Sequence, residues 1–497
     1  MLVFAGFLLL VAFIYWWTSK RRSIGIPGPF GWPLIGSLPS FAADEPHVVF
    51  SNWSKTYGPV YVVRLGAIDV LVVNDLPNAR SVLLNRDLAG KTTEWDTTYA
   101  MGFGGKDLVF SSPNRYQNVH KALIRKHLFG SARLPEIEAL VAREADSLCE
   151  SVPRDARAFD CTDYVATSIG SIILQLTFGR KFASDDAKFR EFRACVDQLV
   201  DVLAHTSALA FLPWLKHVPA SPPRRAWLQM RASLATSWNF LDDYMSEAVR
   251  NFDPSLPPRT FADHLLMGVR EENPHGDLQA LMVDERFDEV SIFRSDSPSP
   301  DRCFSCIRVR ATLLGLLASG IDTTTNTMKW VLARLVAHPE MQERIAVELL
   351  TGSGITLLEA FLNETLRVHT IGPLVCHSAL RMTTVGSYTI PAHMPVIVNL
   401  WALHRDPAVW IDPFRFDPSR FISGSNDVLM GKLLPFGMGH RMCLGRKLAW
   451  IELVGLTSAL VKRFRFIGVD GESPCTEPKK GGILSEPKPF RIKAIQR

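Results

Sequence analysis

Pro435-Phe436-Gly437-Met438-Gly439-His440-Arg441-Met442-Cys443-Leu444-Gly445 is the most densely specified stretch of the chain. Three glycines fall within nine residues, which predicts a tightly turned backbone. One cysteine sits at the end of the turn, and the apolar run Leu448–Leu460 that follows reads as a helix. Cys443 therefore stands at or just before a helix N-terminus, where exposed N–H groups and the helix dipole favour a thiolate over a thiol. A thiolate in a fixed loop is a nucleophile or a metal ligand, whereas a lone cysteine is more often a packing residue.

Composition narrows the setting. The chain has 497 residues, 55 Lys plus Arg against 50 Asp plus Glu, and 47% hydrophobic residues. Length alone suggests about three domains, but no linker or repeat divides the chain, so one large body is expected. A net charge of +5, with no basic run interleaved with aromatics, gives no footprint for nucleic acid. Eight cysteines without framework spacing argue against a disulfide scaffold. Cys303-x-x-Cys306 lacks the second pair that a zinc site needs.

Leu2 to Trp17 is apolar or aromatic throughout, apart from the Tyr15 hydroxyl, and Lys20-Arg21-Arg22 follows. A cleaved signal carries its charge first. Here the charge comes after, and Tyr15-Trp16-Trp17 suits a membrane interface, so residues 1–22 read as an anchor with the body on the cytosolic side. The prolines of Ile26-Pro27-Gly28-Pro29 then break the helix. Val60–Leu65 and Asp69–Val73 read as strands joined at Gly66. Residues 90–113 read as a loop, Arg115–Leu128 as a helix with a basic face of Lys121, Arg125 and Lys126, and 136–250 as several helices. Phe211–Leu215 is unusually apolar for a connection. Ser291–Cys306 is rich in Ser, Pro and Asp, and residues 291–308 are expected to be disordered.

Leu313–Ala318 is apolar all round, so its helix should be buried. It leads into Ser319-Gly320-Ile321-Asp322-Thr323-Thr324, polar groups that are costly in a buried helix unless satisfied. On helix geometry Thr324 points about 100° from Thr323 and is expected to face elsewhere. Glu364 and Arg367 share a helix face, the spacing of an ordinary surface pair.

Taken together these segments resemble the cytochrome P450 family. The 435–445 stretch fills its Phe-Gly-x-Gly-x-Arg-x-Cys-x-Gly loop, 319–324 its Ala/Gly-Gly-x-Asp/Glu-Thr-Thr helix with Ser in first place, and Glu364-Thr365-Leu366-Arg367 its Glu-x-x-Arg. The resemblance implies a mostly helical α+β fold with a small sheet, an anchor over 1–22 and a catalytic domain over 23–497. It implies haem b with Cys443 as axial ligand to iron, a ligation that favours O–O cleavage. Phe436, Gly437, Gly439, Gly445 and Gly320 would surround it, and Arg441, Tyr116, His120 and His377 would hold its propionates. Tyr116 and His120 stand where the family carries a Trp and an Arg. Asp322 and Thr323 would deliver protons, and Arg420 would complete a buried triad with Glu364 and Arg367.

The implied reaction inserts one atom of dioxygen into an apolar substrate of steroid, lipid or xenobiotic type. Electrons come from NADPH through NADPH–cytochrome P450 reductase, with cytochrome b5 as a second candidate, at the endoplasmic reticulum membrane. The alternatives are a haem-thiolate isomerase or dehydratase of the same fold, which Asp322-Thr323 argues against, and a non-catalytic or defective product. The odd 291–310 segment and the step of 41 residues from Thr323 to Glu364, short for the family, suggest the last.

Overall fold

The computed structural model describes residues 25–41, 45–92, 96–182, 186–205, 207–276, 304–422 and 426–497, with isolated positions 6, 10, 11, 13 and 278. The long helix Cys306–Ala337 is the axis of the helical body. Most of its apolar positions are buried, and Leu313, Leu317, Val331 and Leu335 fully so, each contributing about 1.5–3 kcal/mol. It packs on the helices Thr162–Phe178 and Arg446–Arg463 and touches Pro222–Asn251 and Thr356–His369.

Beside this body lies a four-stranded sheet in the order β1 (Val60–Leu65), β2 (Ile68–Val73), β6 (Pro395–Asn399), β3 (Leu374–Ser378). β1 and β2 form the expected hairpin. At its turn Gly66 has φ +60, and a Cβ there would stand 2.3 Å from the Phe211 carbonyl oxygen, so only glycine fits. β6 runs parallel to β2, and β3 antiparallel to β6. β4 (Thr383–Val385) pairs with β5 (Tyr388–Ile390), and β7 (Phe464–Gly468) with β8 (Ile492–Gln496).

Several expectations are refined. The 90–113 loop contains a short helix, Asp96–Met101. The helix begun at Arg115 is regular to Leu123 and ends in a π-turn, Ile124–Leu128. Between Thr323 and Glu364 the long helix ends and one further helix, Pro339–Thr351, intervenes. The disorder expected over 291–308 lies outside the described residues up to 303, but its last residues are helical. Phe304 fills the space over Gly268, where a Cβ would come within 2.5 Å of its ring, and Ile307 is buried. The anchor expected over 1–22 falls almost wholly outside the described residues. Among those described, no helix is long and apolar enough to cross a membrane.

Candidate active site: a cavity between the cysteine loop and the long helix

The cysteine loop folds back on itself through a hydrogen bond from Cys443 N–H to the Phe436 carbonyl, 2.9 Å. Gly437 and Gly439 have φ +66 and +69, and at Gly439 a Cβ would stand 2.0 Å from the Leu83 carbonyl oxygen. Gly445 differs from expectation. Its φ is −83, so it needs no special backbone freedom. A Cβ on Gly437 or Gly445 meets nothing within 4 Å, because both open on a cavity of about 420 Å³. The long helix forms the opposite wall through Gly315, Ser319, Gly320 and Thr323. Gly315 likewise faces open space, whereas Gly320 lets the helix sit against Ile173, whose Cδ1 would be 2.6 Å from a Cβ.

The cavity has a cationic end. Arg441, Lys91 and Lys121 line it, together with His377, fully buried on β3, whose imidazole is pulled down to about 3 by burial and then by Lys91 and Arg441 and so stays neutral. Arg441 Nη2 donates to the Val109 and Ser111 carbonyls, but its buried Nη1 makes no hydrogen bond. Neither His377 ring nitrogen has a bond of good geometry, the Leu88 carbonyl exerting only a weak influence on the ring. Burial, then Arg441, Arg125 and Lys91, pulls Lys121 down to about 7, and burial, then Arg441, pulls Lys91 to about 8 against the opposing influence of Cys376 and Asp107. Burial likewise lowers Arg441 to about 10, against the partly opposing charge of Asp107. A buried cluster this rich in cations, with donors unused, is built for an anion.

Tyr116 and His120 are placed elsewhere. The Tyr116 hydroxyl donates to the Lys106 carbonyl at 2.6 Å and lies 3.1 Å from Thr312 Oγ1, which is 2.9 Å from His120 Nδ1. The pair fastens the Arg115–Leu123 helix to the long helix and does not line the cavity. Lys121, one residue on and therefore about 100° round the helix, is the side chain that reaches it.

Cys443 was expected to favour the thiolate. Cys443 is exposed to the open cavity, yet the protein enclosing it raises its pKa by desolvation, outweighing the N–H groups of Gly445 and Arg446 and the charge of Arg446, which favour the anion. A coordinated metal cation reverses that balance, since a ligating thiol loses its proton outright.

Ser319, Thr323 and Thr327 form an i, i+4 stripe of hydroxyls along the cavity. Each bonds back to a carbonyl one turn earlier: Ser319 to Gly315 at 2.5 Å, Thr323 to Ser319 at 2.7 Å, Thr327 to Thr323 at 2.8 Å. Contrary to expectation Thr324 also lines the cavity, which is wide enough to border two neighbouring positions. Asp322 does not. It faces a second, small cavity behind the helix, accepts a bond from Asn326 Nδ2 at 3.1 Å, and is pushed up to about 7 by burial and then by Asp197 and Glu486.

Glu364 and Arg367 are fully buried, not a surface pair, and form a bidentate bridge of 2.7 and 2.8 Å. Arg420 Nε approaches Glu364 Oε1 at 3.4 Å, and Asp417 N–H donates to the same oxygen at 2.7 Å. Arg367 spends its other donors on the His404, Pro413 and Arg415 carbonyls.

A thiol on a glycine-shaped loop, a cavity with glycines facing it and an end lined by Lys91, Lys121 and Arg441 together suit a thiolate-ligated haem with its two carboxylates. Comparison with known proteins agrees. The family described as Cytochrome P450 matches residues 26–494, and the chain belongs to that family. It is 28% identical to the steroid 17-alpha-hydroxylase/17,20 lyase of Squalus acanthias, over 99% of this chain and 97% of that one. It is equally similar to the Rattus norvegicus enzyme of the same name, over 99% and 96%. Among solved structures, a zebra fish cytochrome P450 with progesterone superposes with a TM-score of 0.74 at 25% identity, over 90% of this chain and 99% of that one. One with abiraterone gives 0.71 at 26%. The chain is thus a haem b monooxygenase of this family.

Proposed function

We propose that the protein is a membrane-bound steroid monooxygenase. The observation that carries this is end-to-end similarity to steroid 17-alpha-hydroxylases. The cavity supports it: beyond the cationic end its walls are apolar, with Leu316, Ile371, Val375 and Leu484 among them. A rigid apolar substrate with few polar groups suits such walls.

In this reading Cys443 holds the iron, and Arg441, His377, Lys91 and Lys121 hold the propionates. When bound, haem supplies the site at which dioxygen is reduced with electrons from NADPH. The chain's own work is to exclude water and to meter protons. The Thr323 hydroxyl gives up its bond to the Ser319 carbonyl to hold a donor at the cavity face, and the Asp322 carboxyl behind it resupplies the proton. Reductase delivers the electrons, and the basic residues Arg125, Lys126 and Arg446 suit an acidic partner surface, with cytochrome b5 a further candidate. Residues 1–22 anchor the chain in the endoplasmic reticulum membrane, with the body, 23–497, in the cytosol. Trp214, 57% exposed beside Phe211, adds apolar surface for the bilayer.

Progesterone titrated into the haem-loaded protein should shift its iron toward high spin, and reductase plus NADPH should then yield hydroxyprogesterone by mass spectrometry. No spin shift and no product with any of a panel of C19 and C21 steroids would refute the substrate class. Removing residues 1–22 should move the chain toward the soluble fraction with haem content unchanged. Loss of haem on truncation would show that anchor and body are not separable.

A further inference from the structure

Behind the long helix, on the side away from the haem cavity, lies an internal cavity of about 20 Å³. That volume is enough for one water. Asp322, Thr325, Asn326 and Lys329 line it from the long helix, Arg193 and Asp197 from the helix Ala187–His205, and Glu486 from the segment before β8. Thr325 is 4% exposed, and its hydroxyl, which borders the cavity, has no partner.

The charged groups are graded from surface to interior. Lys479 Nζ, at the surface, pairs with Asp201 at 3.0 Å and approaches Glu486 at 3.8 Å. Glu486, with 33% of its side chain exposed, is bonded to Lys329 Nζ at 2.7 Å, whose side chain is only 7% exposed. Arg193 pairs with Asp163 and stands 3.6 Å from Asp197. Asp322 is the innermost acid, one residue from Thr323 on the other cavity's wall. The Glu486 segment is pinned at this place. Trp330 Nε1 donates to the Ser485 carbonyl at 3.0 Å, and Leu484 enters the haem cavity.

We propose that Glu486 and this small cavity form the solvent end of the path that supplies Asp322 with protons. The Glu486 carboxylate takes a proton from solvent and passes it to the cavity water. That water gives a proton to the Asp322 carboxylate and is left as it began, so one proton has moved inward and no other bond has changed. Thr325 Oγ1 holds the water, and Lys329 holds Glu486 at the mouth. Asp197 and Glu486 together favour the protonated form of Asp322, while Lys329 and Arg193 oppose it, so the acid can both load and release near neutrality. Glu486 is thus a positioning and relay residue, and the inference rests on the reading of Asp322 and Thr323 as the proton-delivering pair.

The test uses the full haem-loaded chain with purified reductase, NADPH and progesterone. Glu486→Gln should slow NADPH oxidation about tenfold, less than the roughly 10²–10⁴ of a direct general acid, with KM unchanged and a larger solvent deuterium isotope effect. Glu486→Asp should restore most of the rate. Thr325→Val, of equal volume, should slow it in the same way, and keeps the proposal testable if Glu486→Gln loses haem. A readout without turnover is the infrared carboxylic band that disappears in Asp322→Asn. In Glu486→Gln it should titrate at lower pH, because a neighbouring negative charge is gone. An unchanged rate and isotope effect in both Glu486→Gln and Thr325→Val, or an unmoved titration, overturns the path. If Asp322→Asn also leaves the rate unchanged, the proton-delivery reading itself fails. If only the outer variants are silent, the path alone is wrong.

Discussion

Two buried groups of cations behave in opposite ways. Arg367 and Arg420 close on Glu364, and Arg367 fills its remaining donors with three backbone carbonyls. Arg441, Lys91 and Lys121 crowd one end of a cavity beside the neutral His377, with the Asp107 carboxyl near them, and a buried nitrogen of Arg441 is left without a hydrogen bond. In the first group every charge has its counter-charge and Arg367 has every donor filled, Arg420 leaving only Nε, 3.4 Å from Glu364, without a hydrogen bond, and the group is therefore structural. The second carries a standing cost in the chain alone, and only an anion removes it. Satisfaction of donors, more than residue type, separates scaffold from site.

The comparison can be broken by mutation. At the site the largest effect belongs to the sulfur. Cys443→Ala should abolish the carbon monoxide difference band near 450 nm of thiolate-ligated haem, while far-ultraviolet circular dichroism stays as in the parent. Survival of that band would remove Cys443 from the iron. At the scaffold Glu364→Ala leaves Arg367 buried without its partner, which should cost about 3–5 kcal/mol in denaturant unfolding. A loss below about 1 kcal/mol would show that the triad is not what holds this corner.

The sharpest contrast comes from Lys91. Its folded pKa is lowered, from 10.5 to about 8, so its charge opposes the fold below about 8, and that cost fades as pH rises to 10.5. Lys91→Met should therefore stabilise the haem-free chain at pH 7 by about 1–3 kcal/mol, yet weaken haem retention roughly tenfold by removing a charge-assisted bond. Equal effects on both forms would erase the distinction between the two groups.

The smallest effect is a pH limb. Asp322 titrates near 7, raised by burial, so its proton is present below that value and lost above it. Product formed per NADPH consumed should fall through pH 7–8, with peroxide rising, and Asp322→Asn should flatten that slope. Thr323→Ala should lower the ratio at every pH while haem content holds. If Thr324→Ala did so instead, the hydroxyl stripe Ser319–Thr323–Thr327 would not be the working face.

The sequence made the cysteine loop, the first hairpin, the buried helix and the Glu364–Arg367 pair legible, because each is local: a glycine pattern, an alternation, an apolar run, a helical spacing. Lys91 and Lys121 were not legible. Lys91 bonds to the Cys376 carbonyl 285 residues away, a proximity no local pattern encodes. Lys121 is hidden by a one-residue choice of helix face: the family pattern points to Tyr116 and His120, which face the long helix, whereas Lys121 is the side chain of that helix that lines the cavity. Glycine is ambiguous in the same way. Gly439 and Gly445 read alike, yet one serves a left-handed turn and the other an open wall.

The order of strands in the main sheet has a consequence for biogenesis. β2 is flanked by β1 and by β6, and Asn399 bonds to Asn74 across 325 residues. A ribosome adding about 5–20 residues per second needs roughly 15–65 s to make that interval. Throughout it the edge Val70-Leu71-Val72-Val73 has no partner on one side, an apolar template for pairing with another chain. The sheet also brings β3, with His377, to the cavity, and Arg441 follows later still, so the anion-binding end is assembled only when nearly nine-tenths of the chain has been made. Haem capture is thereby placed late in synthesis, and a chaperone covering residues 68–73 would raise the yield of loaded protein more than added haem would.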